Sequence, residues 1–268
     1  MFEVLTRIDI RNNVRKKVSD LVKDRDSVII VHYSCESFNK IEDGRSARIT
    51  SIAVRNLGSG QTKSFSIHLA AEEKKISFDL IQAKYDELEQ EILSSFSRYV
   101  ETNKNYKWLH WNMRDSNYGF PHLMHRGKIL GVQIPEIHEK NLFDLAVINI
   151  EMFGPNYAQH PRLINLMKKN NISDLNMLSG AEEAKAFVSK EYVKLHLSTL
   201  RKVDVISNIL MRNAEGKLMT ESSWLDIYGS NLGGFIEKLK DSWMVFLLGL
   251  AGGVSSIIGL YLAYIQIK

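Results

Sequence analysis

Twenty-three consecutive residues without a charge, Trp243–Ile265, set the first limit on what this chain can form. About 20 apolar residues wound as a helix cross the hydrocarbon core of a bilayer. A helix that is apolar on every face has no side to offer to water. Trp243 stands at one end of the segment and Tyr261 and Tyr264 near the other, where aromatic rings favour the membrane interfaces. Lys238 and Lys240 precede it and Lys268 follows it. The expectation is a single transmembrane helix over 243–265 behind a body that is long enough to bury its own core. The opening residues, Met1–Arg7, lack the apolar run and the small-residue cleavage pattern of a secretory signal. Only three residues follow the span, so insertion after translation and a cytoplasmic body are expected.

Small residues recur inside the segment at helical spacing. Gly249 and Gly253 form a GxxxG pair, Ser255, Gly259 and Ala263 continue the row, and Gly252 with Ser256 lies beside it. Such rows let helix backbones approach closely in lipid, where packing drives association. Self-association, or pairing with another membrane helix, is the expected use, and a bundle of such helices would perturb the bilayer. Glycine is also simply common in membrane helices.

The rest of the chain reads as globular, with hydrophobic residues at 44% and charged residues at 25% overall. Cys35 is the only cysteine, so an intrachain disulfide is ruled out. The net charge of +4 permits contact with nucleic acid or anionic lipid and requires neither.

Hydrophobic periodicity divides the body into elements. Ile10, Val14, Val18, Leu21 and Val22 among Arg11, Arg15, Lys16 and Lys17 predict an amphipathic helix. Ser27–Val31 is a β-branched run, hence a buried strand. Ala47–Arg55 and Ser64–Leu69 flank the turn residues Asn56–Gln61 and predict a hairpin. Tyr85, Leu88, Ile92, Leu93, Phe96 and Tyr99 mark a helix, Tyr106–Trp111 a short strand, and 118–126 a further helix. Asn141–Ile148 reads as a strand or as a helix start. Pro161 opens another helix. Ser179 and Glu182 have capping-box spacing and open a long helical region to about Leu210. Four parts result: an amphipathic helix at 1–26, an α/β domain at 27–212, a linker at 213–242 with a short amphipathic helix around Phe235, Ile236 and Leu239, and the membrane helix. The fold class is α/β, a mixed sheet flanked by helices.

That order of elements over residues 27–212 resembles the DnaQ-like (DEDD) 3′–5′ exonucleases, on the ribonuclease H-like fold. The family places an Asp-x-Glu pair on its first strand, a His-Asn and an Asp after a later strand, and a His or Tyr followed by an Asp on a late helix. Those four carboxylates hold two divalent metal ions. Here the first strand runs Val28-Ile29-Ile30-Val31-His32-Tyr33-Ser34-Cys35-Glu36, with His32 and Ser34 where the acids are sought. The second region runs His110-Trp111-Asn112-Met113-Arg114-Asp115, with an altered gap. Asp144 matches a structural Asp of the family. On the late helix the spacing from His196 puts the acid at Arg201, while Asp204 lies eight residues after His196. A cation in a two-metal site repels the ions it should hold. The resemblance therefore implies an exonuclease-like domain without two-metal catalysis and without a resident metal. Were it active, Glu36, Asp115, His196 and Asp204 would carry the chemistry with Mg²⁺ or Mn²⁺.

Trp108, His110 and Trp111, with Arg114 and Arg126, supply stacking and charge for a nucleic acid, although core packing suits either tryptophan as well. His122, His125 and His138 complete no zinc pattern, and Cys35 reads as a buried thiol. The expected role is recognition of a nucleic acid, a nucleotide signal or a protein partner, with the membrane helix as anchor or effector. A nucleic-acid-type fold joined to a membrane helix is similar in layout to bacterial anti-phage effectors. A membrane-tethered exonuclease and a tail-anchored scaffold are the alternatives.

Overall fold

In the computed structural model, residues 6–37, 46–114 and 117–229 are described. The reading of 230–268, which includes the membrane helix with Gly249, Gly252, Gly253, Ser256, Gly259 and Ala263, lies outside those residues, as does Asp115. Among the described residues no helix is long and apolar enough to cross a membrane.

The chain begins with α1 (Arg7–Lys23), opened by a capping box between Thr6 and Asp9. The next elements are β1 (Val28–Cys35), β2 (Ile49–Asn56), β3 (Thr62–Ser66), α2 (Ile67–Glu73), α3 (Tyr85–Asn103) and β4 (Lys107–His110). They are followed by α4 (Phe120–Ile129), β5 (Leu142–Asp144), α5 (Leu145–Phe153), α6 (Arg162–Lys169), α7 (Gly180–Val188), α8 (Tyr192–Ala214) and α9 (Trp224–Tyr228). The five strands form one mixed sheet in the order β3-β2-β1-β4-β5. β1, β4 and β5 are parallel, and β2 is antiparallel to both of its neighbours.

Strand β1 is central and buried along its whole length, which is why it reads as a continuous apolar run. Its side chains alternate between two cores. Ile29, Val31, Tyr33 and Cys35 face a core built with α2, α3, α4 and α7. Val28 and Ile30 face one built with α1, α5, α6 and the later turns of α8. The same period of two sends His32 and Ser34 to the α8 side. Helix α1 packs on α5 and α8, so the predicted N-terminal helix is part of the domain's core.

The hairpin turn is set by Asn56, whose Oδ1 accepts from the backbone N–H groups of Gly58 and Ser59, and by Gly60 at φ +70°. Several boundaries depart from the sequence reading. Strand β3 stops at Ser66, because Ile67, Ala70 and Ala71 face the core at helical spacing and begin α2. Segment 141–148 is both things expected of it: β5 ends at Asp144, whose side chain caps α5 by accepting from Ala146 N. The Ser179–Glu182 capping box opens α7, but the helix breaks where Lys190 takes φ +58°, and α8 starts afresh at Tyr192. Part of the predicted linker is structured: Leu218 packs in the α8-side core, and α9 packs on α1 and α5.

Candidate functional site

The parallel strands β1, β4 and β5 end on the same edge, where open α/β sheets hold their ligands. Two arrangements meet there. One is closed and lies between β1 and α8; the other is open and lies at the ends of β4 and β5.

The closed one is built around Ser34, one of the two strand positions at which the resemblance seeks acids. Ser34 Oγ donates to Glu183 Oε1 at 2.8 Å and sits 2.8 Å from Thr199 Oγ1. Ser198 Oγ donates to the same Glu183 oxygen at 2.9 Å, and Lys202 Nζ lies 2.6 Å from it. Thr199 Oγ1 donates to Leu195 O and contacts Ser51 Oγ at 2.5 Å. Glu183, Ser34, Ser51, Ser198 and Thr199 are fully buried, and Lys202 is 6% exposed. Glu183 Oε2 is buried with no hydrogen-bond partner among the described residues. The ammonium of Lys202 thus sits against the one carboxylate of the cluster, inside the protein.

His32 and Tyr118 lie beside this cluster. Burial, followed by the nearby Lys202 charge, holds the His32 imidazole neutral, with its pKa well below the usual value. Tyr118 Oη donates to Tyr33 O at 3.0 Å and lies 3.2 Å from His32 Nδ1. The Tyr33 ring stacks on Tyr118 at 4.5 Å, and its Oη accepts from Gly119 N. Burial and the Glu183 charge push the Cys35 thiol up to about 12, so it is no nucleophile.

The open arrangement is a pocket of about 430 Å³. Its walls are apolar and include Phe96, Met113, Phe120, Leu123, Ile134 and Ile137. Its polar lining comprises His110, Arg114 and Asp144 together with Glu136 and Glu139. His110 Nδ1 accepts from Met113 N, which makes Nε2–H the donor of the neutral ring. Burial lowers the pKa of His110 to about 4 against the opposing pull of Asp144. Asp144 Oδ1 accepts from Asn112 N and Ala146 N, and Arg114 Nε lies 2.7 Å from Oδ2. Gly119 holds the rim in place: a Cβ there would stand 2.7 Å from the carbonyl carbon of Met113, where Arg114 and Gly119 bridge.

The structure separates the other residues singled out in the sequence. Trp108 is fully buried with Nε1 donating to Asn103 O, and Arg126 is buried in a two-bond pair with Glu89. Trp108 thus takes the core place that the sequence also allowed it, and Arg126 is buried where an exposed cation was expected; the arginine's charge is needed inside because Glu89 is buried. His110 and Arg114 do share a site, and Trp111 packs half-buried on the α8-side core. Of the residues proposed for an active enzyme, Glu36 follows β1 and its Oε2 accepts from Arg48 N. His196 Nε2 is 2.8 Å from Ser64 Oγ, with the His68 ring 5.0 Å away. Asp204 pairs with Arg201 one turn before it. Eight residues along α8 place Asp204 about 12 Å from His196 along the axis, too far for one ion's oxygen and nitrogen ligands at 2–2.6 Å. Among the described residues no group of three or more His, Cys, Asp or Glu side chains is placed to hold a metal ion.

The sequence reading missed Glu183 and Lys202. A signal was there: Leu195, Thr199, Lys202, Val203 and Ile206 follow the buried stripe of α8, so the lysine falls on the sheet-facing side. Glu89 falls in the same way on the stripe of Tyr85, Leu88, Ile92 and Phe96.

Compared with models of known families, with characterised proteins and with solved structures, the chain finds no match. What the fold itself defines is an α/β protein with a five-stranded mixed sheet flanked by helices.

Proposed function

We propose that this chain is a membrane-anchored recognition protein whose ribonuclease H-like domain binds a ligand without cutting it. The observation that carries the reading is the buried Glu183–Lys202 pair. It lies against Ser34, one of the two strand positions where the resemblance to DnaQ-like exonucleases seeks acids, and an ammonium there disfavours a second cation. The strand order β3-β2-β1-β4-β5 with an antiparallel β2 supports the ribonuclease H-like assignment. The ligand site is the pocket at the ends of β4 and β5. Apolar walls with a neutral His110 and the Glu136 and Glu139 carboxylates suit a flat ring bearing hydrogen-bond donors, a nucleobase of a nucleotide or of a single strand. The uncharged segment 243–265 supplies the anchor, and its small-residue row supports assembly with other membrane helices. Sensing in the cytoplasm coupled to damage of the membrane, as in anti-phage defence, follows from this layout.

Two measurements test the reading. Purified full chain should release no nucleotide from labelled single strands with Mg²⁺ or Mn²⁺, and metal-dependent release lost in Asp115→Asn or Asp204→Asn would establish the exonuclease instead. Nucleotides or oligonucleotides should raise the melting temperature of the wild type and not that of His110→Phe. Stabilisation by none of them would leave the scaffold reading.

A further inference from the structure

A second groove, of about 540 Å³, runs along α1 against the ends of α5 and α8. Arg11, Arg15, Lys16 and Lys23 line it, and none of its lining residues is acidic. Its floor is apolar, with Val22, Met152, Phe153 and Leu218. Arg15, Lys16, Lys17 and Lys23 are exposed, and they lie along a helix whose opposite face, Val14, Val18 and Leu21, is core. Cations over an apolar floor suit a phosphate-bearing surface whose acyl region is near, because long basic side chains lay their stems on apolar groups and keep the charge outermost.

The path of the chain identifies that surface. Helix α9 packs on α1, with the Arg11 guanidinium 4.7 Å over the Tyr228 ring, and Gly229 lies beside the Arg7 side chain. The described chain thus ends beside the start of α1. Thirteen residues, 230–242, separate it from Trp243. Fully extended they reach about 45 Å, and as a flexible coil about 20 Å. Helix α1 is itself about 25 Å long, so a bilayer entered at Trp243 is within reach of its whole basic face. Within the connecting stretch Lys238 and Lys240 are balanced by Glu237 and Asp241, so the attraction to the surface rests on the cations of α1.

We propose that the α1 groove docks on the anionic lipid headgroups of the membrane in which the chain is anchored, and so fixes the orientation of the recognition domain. The proposal rests on the reading of 243–265 as the anchor. Each basic side chain brought to such a surface strengthens docking several-fold, and salt weakens it.

The test uses full chain carrying Asn12→Cys, labelled with an environment-sensitive fluorophore. Position 12 lies one turn before Arg15 and Lys16 and is exposed, whereas Cys35 is buried and escapes the label. The protein is reconstituted into vesicles of phosphatidylcholine, with or without about one-third phosphatidylglycerol, each doped with a headgroup quencher. Quenching is expected only with the anionic lipid. It should be abolished by about 0.5 M salt and reduced at least about tenfold by Lys16→Glu with Lys23→Glu. The control Lys128→Glu with Lys185→Glu, on α4 and α7, changes net charge equally and should leave it unchanged. No quenching, equal quenching in both lipids, or equal loss in both double variants overturns the proposal. So does displacement of the label by a single-stranded oligonucleotide that the Lys16/Lys23 variant no longer binds, which would make the groove a nucleic-acid face. Carbonate-washed flotation of unlabelled protein reads the anchor separately. A chain stripped by carbonate yet bound to anionic vesicles through Lys16 and Lys23 refutes the anchor and leaves the docking face.

Discussion

Lys202→Met should destabilise the protein far more than an ordinary surface change. Methionine nearly matches the length of the lysine stem, so little volume is lost. What is lost is the cation that pairs with Glu183 among the described residues; the carboxylate is fully buried and keeps the Ser34 and Ser198 hydroxyls. Removing one partner of a buried ion pair costs about 3–5 kcal/mol, because the remaining charge is left without compensation. In a domain of this size each kcal/mol moves the melting temperature by about 2–4 °C, so a fall of roughly 10 °C is expected. The double variant Glu183→Gln with Lys202→Met removes both charges and retains an amide for the hydroxyls. It should recover most of the loss, since a buried pair as a whole is close to neutral in stability. Thermal unfolding of the full chain in mild detergent, followed by tryptophan fluorescence, measures both. A single variant within about 1 kcal/mol of the wild type, or a double variant no better than the single, would refute the account of Lys202 as an internal counter-ion. It would also remove the physical ground for reading the site as closed to metals.

Four further outcomes follow from particular contacts. Arg126→Ala should cost about 3–5 kcal/mol through the stranded Glu89 carboxylate, read by denaturant melts, and a loss under about 1 kcal/mol would contradict the buried pair. Gly119→Ala forces a Cβ against the Met113 backbone and should cost about 1–3 kcal/mol while weakening ligand stabilisation at the pocket; an unchanged melt would reject that close approach. His32 and His110 are held neutral by burial, so their folded pKa values lie below the unfolded value near 6.5. The unfolded chain therefore binds more protons below that pH: their contribution is complete above 6.5 and declines as pH falls, that of His110 by about 1.4 kcal/mol per pH unit until its folded pKa of about 4 is reached. Melting temperature should decline between pH 6.5 and 5, less steeply in His110→Phe, and parallel pH curves would count against the assignment. Gly249→Leu with Gly253→Leu should lower the oligomer size in detergent, and an unchanged size would reject that interface.

Much of the architecture was legible in residue order because it depends on local physics. The β-branched run at 28–31, the Asn56–Gln61 turn, the stripe of Tyr85–Tyr99 and the Ser179/Glu182 capping box each encode an element within a few residues of themselves. Where local signals compete, the sequence could not decide. Ile67 continues a strand pattern equally well, and only the core that receives Ala70 and Ala71 turned it into a helix. The site was harder still. Strand alternation could place His32 and Ser34 on one face, but nothing near them in sequence announces that Glu183 and Lys202 will meet them there. Trp108 read equally as a stacking or a core residue and Arg126 as surface chemistry, and the fold buried both by packing α3 and α4 over the sheet. The sequence by itself determined the elements, the missing carboxylates and the uncharged segment at 243–265, because each is a property of neighbours along the chain. Tertiary structure alone decided that an ammonium fills the cluster beside Ser34, that a pocket opens at His110 and Asp144, and that the described chain ends beside α1. Each of those is a meeting of residues far apart in sequence, and burial, charge pairing and backbone path settle such meetings only once the whole sheet is assembled.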